Sequence, residues 1–119
     1  MTVEFETVIG NTSPAYELTL IRKGNPEVPI DLTNASGVKL IIRNFATNAV
    51  TNSGNQDCNI LTPKTAGNIL YQPEAGDFPT ANVHTGDAQI TYNDTTVEII
   101  YEQVRFNVRP SPTNSADGD

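Results

Sequence analysis

Apolar and polar positions alternate with a period of two through most of this chain. Tyr16, Leu18 and Leu20 form one row, Val38, Leu40 and Ile42 a second, and Ala88, Ile90 and Tyr92 a third. Val97, Ile99 and Tyr101 form a fourth, and Val104, Phe106 and Val108 a fifth. Successive side chains of a strand point to opposite faces, so each row turns one apolar side toward a core and leaves a more polar side outward. Val3–Val8, 58–61 and 68–72 carry weaker versions of the pattern. No segment has the i, i+3, i+4, i+7 spacing of an amphipathic helix. The shared phase predicts a core containing Leu18, Leu20, Leu40, Ile42, Ile90, Tyr92, Ile99 and Phe106, with Tyr16, Tyr71, Tyr92 and Tyr101 supplying most of its aromatic bulk.

Turn signals separate the rows. Lys23-Gly24-Asn25-Pro26, Asn52-Ser53-Gly54-Asn55, the proline-bounded stretch 73–79 and Asn93-Asp94-Thr95-Thr96 combine residues that favour turns for different reasons. Glycine supplies positive φ, proline fixes φ, and Asn or Asp bonds to nearby backbone. Short strands punctuated in this way predict an all-β fold, an antiparallel β-sandwich of seven to eight strands over residues 1–109. The segment 110–119 is polar, with one alanine and no larger apolar side chain, and reads as an extended tail.

At 119 residues the chain is long enough for one domain. Its formal charge is −7, with 14 acidic residues against 7 basic ones. The basic residues are scattered, and only Arg22 and Lys23 adjoin, which argues against a nucleic-acid partner. No stretch approaches the roughly 20 apolar residues of a membrane helix, so no membrane partner is expected. The first residues, Met1-Thr2-Val3-Glu4-Phe5-Glu6, lack the basic and apolar regions of a signal peptide, which predicts synthesis in a cytoplasm.

Candidate chemistry is sparse. The one histidine, His84, reads as a polar loop residue. The one cysteine, Cys58, reads as a small buried hydrophobe, because the adjacent Asp57 would raise its pKa. No serine sits in a G-x-S-x-G elbow, and no phosphate-cradling glycine motif is present. One Cys and one His are too few for zinc, and Asp77, Asp87 and Asp94, read as loop residues, lack EF-hand spacing. These readings predict a protein that is not an enzyme and uses no metal or other cofactor. An antibody-type immunoglobulin domain is also excluded, since the Cys…Trp…Cys pattern is missing.

One phrase is more specific. Leu18-Thr19-Leu20-Ile21-Arg22-Lys23-Gly24-Asn25-Pro26-Glu27-Val28-Pro29-Ile30-Asp31-Leu32-Thr33-Asn34-Ala35 is a strand, a glycine-containing turn and an "I-D-L-T-N-A" lead into Val38-Lys39-Leu40-Ile41-Ile42-Arg43. It resembles the N-terminal immunoglobulin-like domain of phage baseplate upper proteins and related phage tail proteins. Gly67-Asn68-Ile69-Leu70-Tyr71, the segment Gly86-Asp87-Ala88-Gln89-Ile90-Thr91-Tyr92 after Asp77, and Gln103-Val104-Arg105-Phe106-Asn107-Val108 continue the likeness over about residues 16 to 108. Position 88 is alanine where that family usually has an aromatic residue.

The resemblance implies an immunoglobulin-like sandwich and a structural protein of the virion, made in the host cytoplasm. Its partners would be other virion proteins of the tail, baseplate or neck, with self-association into a homo-oligomer open. A decoration protein of the capsid is an alternative. A lectin-like ligand-binding module is another, disfavoured by the missing Trp and by tyrosines that share the core phase. Two segments are the candidate partner interface. In the first strand Val3 and Phe5 lie on the opposite phase from Val8. In the tail Pro110, Ser111, Pro112 and Thr113 favour an extended backbone suited to lying along another protein.

Overall fold

The two-residue rhythm becomes nine strands in a computed structural model, which describes residues 3–22, 27–52, 57–74 and 76–110. They are β1 (Val3–Val8), β2 (Tyr16–Thr19), β3 (Ile21–Arg22), β4 (Val28–Pro29), β5 (Ala35–Asn44), β6 (Asp57–Ile60), β7 (Asn68–Tyr71), β8 (Val83–Tyr92) and β9 (Val97–Arg109). Among the described residues the only helical element is a 3-10 turn at Lys64–Ala66. The protein is all-β.

Seven strands form one sheet in the order β1-β9-β8-β5-β6-β7-β2, while β3 and β4 form a short separate ribbon. The sheet is mixed, which corrects the expected fully antiparallel arrangement. β1 runs parallel to β9, from Val3 beside Val104 to Val8 beside Arg109. A tight hairpin forces antiparallel pairing on the strands it joins. β1 and β9 are far apart in sequence, so no turn sets their relative direction.

β6 carries the sheet round a corner. Asp57 and Cys58 pair with Lys39 and Val38 of β5, whereas Asn59 and Ile60 pair with Leu70 and Ile69 of β7. The β2–β7 end thereby folds back over the β1–β9 end, in a nearly barrel-like closure. The ring of Tyr16 on β2 lies 4.7 Å from that of Phe5 on β1 and 5.3 Å from that of Phe106 on β9. The space between is filled by fully buried aliphatic side chains, including Leu20, Leu32, Leu40, Ile42, Ile69 and Ile90.

The stretch between β7 and β8 closes one end of this core. The Tyr71 hydroxyl donates to Asp77 at 2.5 Å, the Glu74 N–H donates to the same carboxylate oxygen at 2.9 Å, and Thr51 Oγ1 donates to the Asp77 carbonyl at 2.6 Å. Burial and the neighbouring Asp77 push the Tyr71 phenol well above its usual pKa, so it stays a donor. This clamp seats Phe78 against Phe106, ring centroids 4.8 Å apart, and edge-on to His84.

Several expected placements change. His84 is not a loop residue: it lies on β8, fully buried. Its Nδ1 donates to the Asn82 carbonyl at 3.2 Å, its Nε2 has no partner, and burial pushes its pKa below the usual value. Asp87 also lies within β8 rather than in a loop. Cys58 is buried in the core, and burial and then Asp57 push its thiol up to about 12.

Tyr92 is only half-buried, and Ile99 is exposed rather than in the core. The exposure of Ile99 follows from β9 being one uninterrupted strand of 13 residues. The rows Val97-Ile99-Tyr101 and Val104-Phe106-Val108 sit on opposite parities of it, so both cannot face inward. The even row packs the core. Glu98 replaces an apolar side chain at its far end, where Arg22 pairs with it and the Tyr92 hydroxyl donates to it at 2.7 Å.

Candidate binding interface

The odd row of β9 is therefore displayed on the outer face of the sheet. Val97, Ile99 and Tyr101 are 54%, 48% and 64% exposed. Gln89 and Thr91 of β8 stand beside Ile99 and Val97. At the Tyr101 end, Phe45, the first residue after β5, is also more than half exposed. Isolated exposed hydrophobes are ordinary; here three of them share one face of one strand.

The geometry at the Tyr101 end is set by a break in the β8–β9 pairing. Gly86 pairs with Val104 and Ala88 with Ile100, so β9 travels two residues further than β8 between these points. An insertion of two leaves the side-chain parity of β9 unchanged, so the strand keeps its faces. Glu102, within the bulge, takes a left-handed φ of 52°. Its N–H has lost a ladder partner and donates instead to Asp87 Oδ1 at 2.8 Å. Gly86 is required beside it: a Cβ there would come within 2.5 Å of Val104 Cγ1 and 3.1 Å of Leu40 Cδ1.

Asp87 points to the outer side yet is 1% exposed, because the bulge and Arg43 close over it. Arg43 Nη2 donates to Asp87 Oδ2 at 3.0 Å, and Arg43 Nη1 donates to Asn48 Oδ1 at 3.3 Å. A buried carboxylate needs such a partner to offset its lost hydration. Above this pair lies a cavity of about 340 Å³ whose walls include Phe45, Asn48, Tyr101 and Glu102. The guanidinium of Arg105 sits 5.4 Å over the Phe45 ring and 3.9 Å from Glu102.

A second concavity, of about 480 Å³, lies among Asp31, Asn34, Tyr92, Asn93 and Asp94. It explains the Asp-x-Thr phrase locally. Asp31 Oδ1 accepts from the N–H and hydroxyl of Thr33 at 2.9 and 2.5 Å, which turns the chain and drops Leu32 into the core. Asp94 does the same with Thr96 at 3.0 and 2.6 Å. These hydrogen bonds, that from the threonine hydroxyl foremost, hold both carboxyls below their usual pKa. Among the described residues no three His, Cys, Asp or Glu side chains are placed to hold a metal ion.

The expected interface residues are dispersed. Phe5 faces inward, with its ring 5.9 Å from that of Phe106, while Val3 and Val8 are half-buried on the same edge strand. Pro110 is exposed just past the end of β9, and Ser111, Pro112 and Thr113 lie outside the described residues. Sequence reasoning missed Tyr101, Phe45, Arg43 and Asp87 as a group. One signal was present: residues 97–109 contain no glycine or proline, so two opposed apolar rows in that run must put one row on the surface.

No helix among the described residues is long and apolar enough to cross a membrane. The chain matches no protein-family model, no curated protein and no solved structure.

Proposed function

We propose that this protein is a non-enzymatic structural module of a phage particle, an immunoglobulin-like accessory domain that docks on another protein of the tail, baseplate or neck. The observation that carries the docking reading is the row Val97, Ile99 and Tyr101, three large side chains presented together on the outer face of β9. A surface of this kind is costly to leave against water and is suited to burial against a partner.

The immunoglobulin-like reading is supported by strand order. The run β5-β8-β9 has the succession of the C-F-G sheet of an immunoglobulin domain, and β2-β7-β6 that of its B-E-D sheet. β6 then marks the corner between two layers. The virion assignment rests on the resemblance of the Asp31-Leu32-Thr33 region and the strands around it. The edge strand β1 and the segment from Pro110 onward are secondary contact candidates.

The test is a Val97→Lys, Ile99→Lys double variant. Both positions are exposed, so its thermal melt should match the parent. Its incorporation into particles should fall sharply. Full incorporation with an unchanged melt would refute docking through this face, and the position of the retained subunit by electron cryo-microscopy would separate a tail location from a capsid one.

A further inference from the structure

We propose that the cavity between Phe45 and Tyr101 is a binding site for a neutral saccharide, with one pyranose ring lying against the aromatic walls. This site goes beyond the docking role; it shares Tyr101 with the docking row and lies at the opposite end of that row from Val97.

Three features point to that class of ligand. The first is the walls. Phe45 and Tyr101 are 55% and 64% exposed, and both border the same cavity. An aromatic face attracts the polarised C–H groups on the apolar side of a pyranose. The cavity, about 340 Å³, lies at the small end of the range of roughly 300–1,000 Å³ for ligand pockets.

The second feature is a polar floor that is already fixed. Arg43 is held by Asp87 and Asn48 through two of its N–H groups, and a guanidinium has five donors. The donors left over on Arg43 offer donation to vicinal hydroxyls, with the Glu102 carboxylate, itself facing Arg105, on the rim. Because Asp87 is itself locked by the Glu102 N–H, this floor is organised before any ligand arrives, which lowers the entropic cost of binding. A purely apolar ligand would strip water from these groups without replacing it.

The third feature is charge balance. Arg43 is offset by Asp87 at 3.0 Å, and Arg105 stands 3.9 Å from Glu102. Neither a phosphate nor an ammonium group gains from such a site. A neutral ligand with many hydroxyls does.

The test is a titration of the full-length, ¹⁵N-labelled protein, followed by NMR, with the methyl glycosides of glucose, galactose, mannose, rhamnose and N-acetylglucosamine into the millimolar range. At least one should give saturable shifts confined to the neighbourhoods of Arg43–Asn48, Asp87 and Tyr101. Tyr101→Ala and Phe45→Ala remove exposed rings and should fold normally, yet each should weaken that binding tenfold or more. The Val97→Lys, Ile99→Lys variant should bind the sugar as the parent does, which keeps this test separate from that of docking. Absence of saturable shifts with every glycoside would overturn the proposal. So would unchanged affinity in both aromatic variants, or occupation of the cavity by a proline-rich peptide with no response to sugars.

Discussion

The carboxylate of Asp87 and the backbone N–H of Glu102 meet at 2.8 Å, where the pairing of β8 with β9 is interrupted. The side chain replaces the ladder bond that the bulge removes, and its second oxygen takes Arg43. One buried residue thus sets both the path of β9 and the position of Arg43 on the cavity floor. Asp87→Ala would remove the carboxylate that accepts from the Glu102 N–H and from Arg43 Nη2. Breaking a buried pair costs about 3–5 kcal/mol. Arg43 keeps 26% of its side chain exposed, so the loss should lie at the low end. Urea unfolding measures it, and a loss under about 1 kcal/mol would show that the bulge holds without the carboxylate.

Two leucine-sized residues on alternating strands should behave in opposite ways. Leu40 is fully buried, and Leu40→Ala should cost about 2–5 kcal/mol. Ile99 is half exposed, and Ile99→Ala should cost about 0.5 kcal/mol or less. Equal losses at the two sites would mean that the odd row of β9 faces the core.

That contrast also shows how much the sequence could reveal. Alternation located β5 and β8 and named their inner rows, because every other residue of a half-buried strand is apolar. The Asp31-Leu32-Thr33 phrase was legible as a lead into β5, while the turn that Asp31 and Thr33 make was not. The outer face was less accessible. Parity says that Ile99 opposes Phe106, but only a distant partner says which row is inside. Here that partner is Arg22, which neutralises Glu98 on the inner row. Asp87 looked like a loop acid because polar residues surround it in sequence, and its burial depends on a bulge formed with residues fifteen positions away. The direction of β1 was beyond reach for the same reason, since no local turn encodes its pairing with β9.

Stability should fall as the solution is acidified through the imidazole range. His84 has a usual value of 6.5 and is held lower in the folded protein by burial. The unfolded chain therefore binds a proton that the folded chain resists, and stability is lost as pH drops below about 6.5. The loss ends once pH is below the folded value. His84→Asn should flatten this part of the profile in melts recorded between pH 8 and pH 5. A parent profile that is already flat there would show that the buried ring accepts its proton without cost.

The proposed docking surface is the outer face of β9, set against another protein of the particle. The most direct measurement places a benzophenone photocrosslinker at Ile99 and, as a control, at Glu17, which is exposed on β2. After irradiation of purified particles, Ile99 should yield one discrete product with a single virion protein, and Glu17 should yield none. No product from Ile99, or equal yields from both positions, would contradict the account.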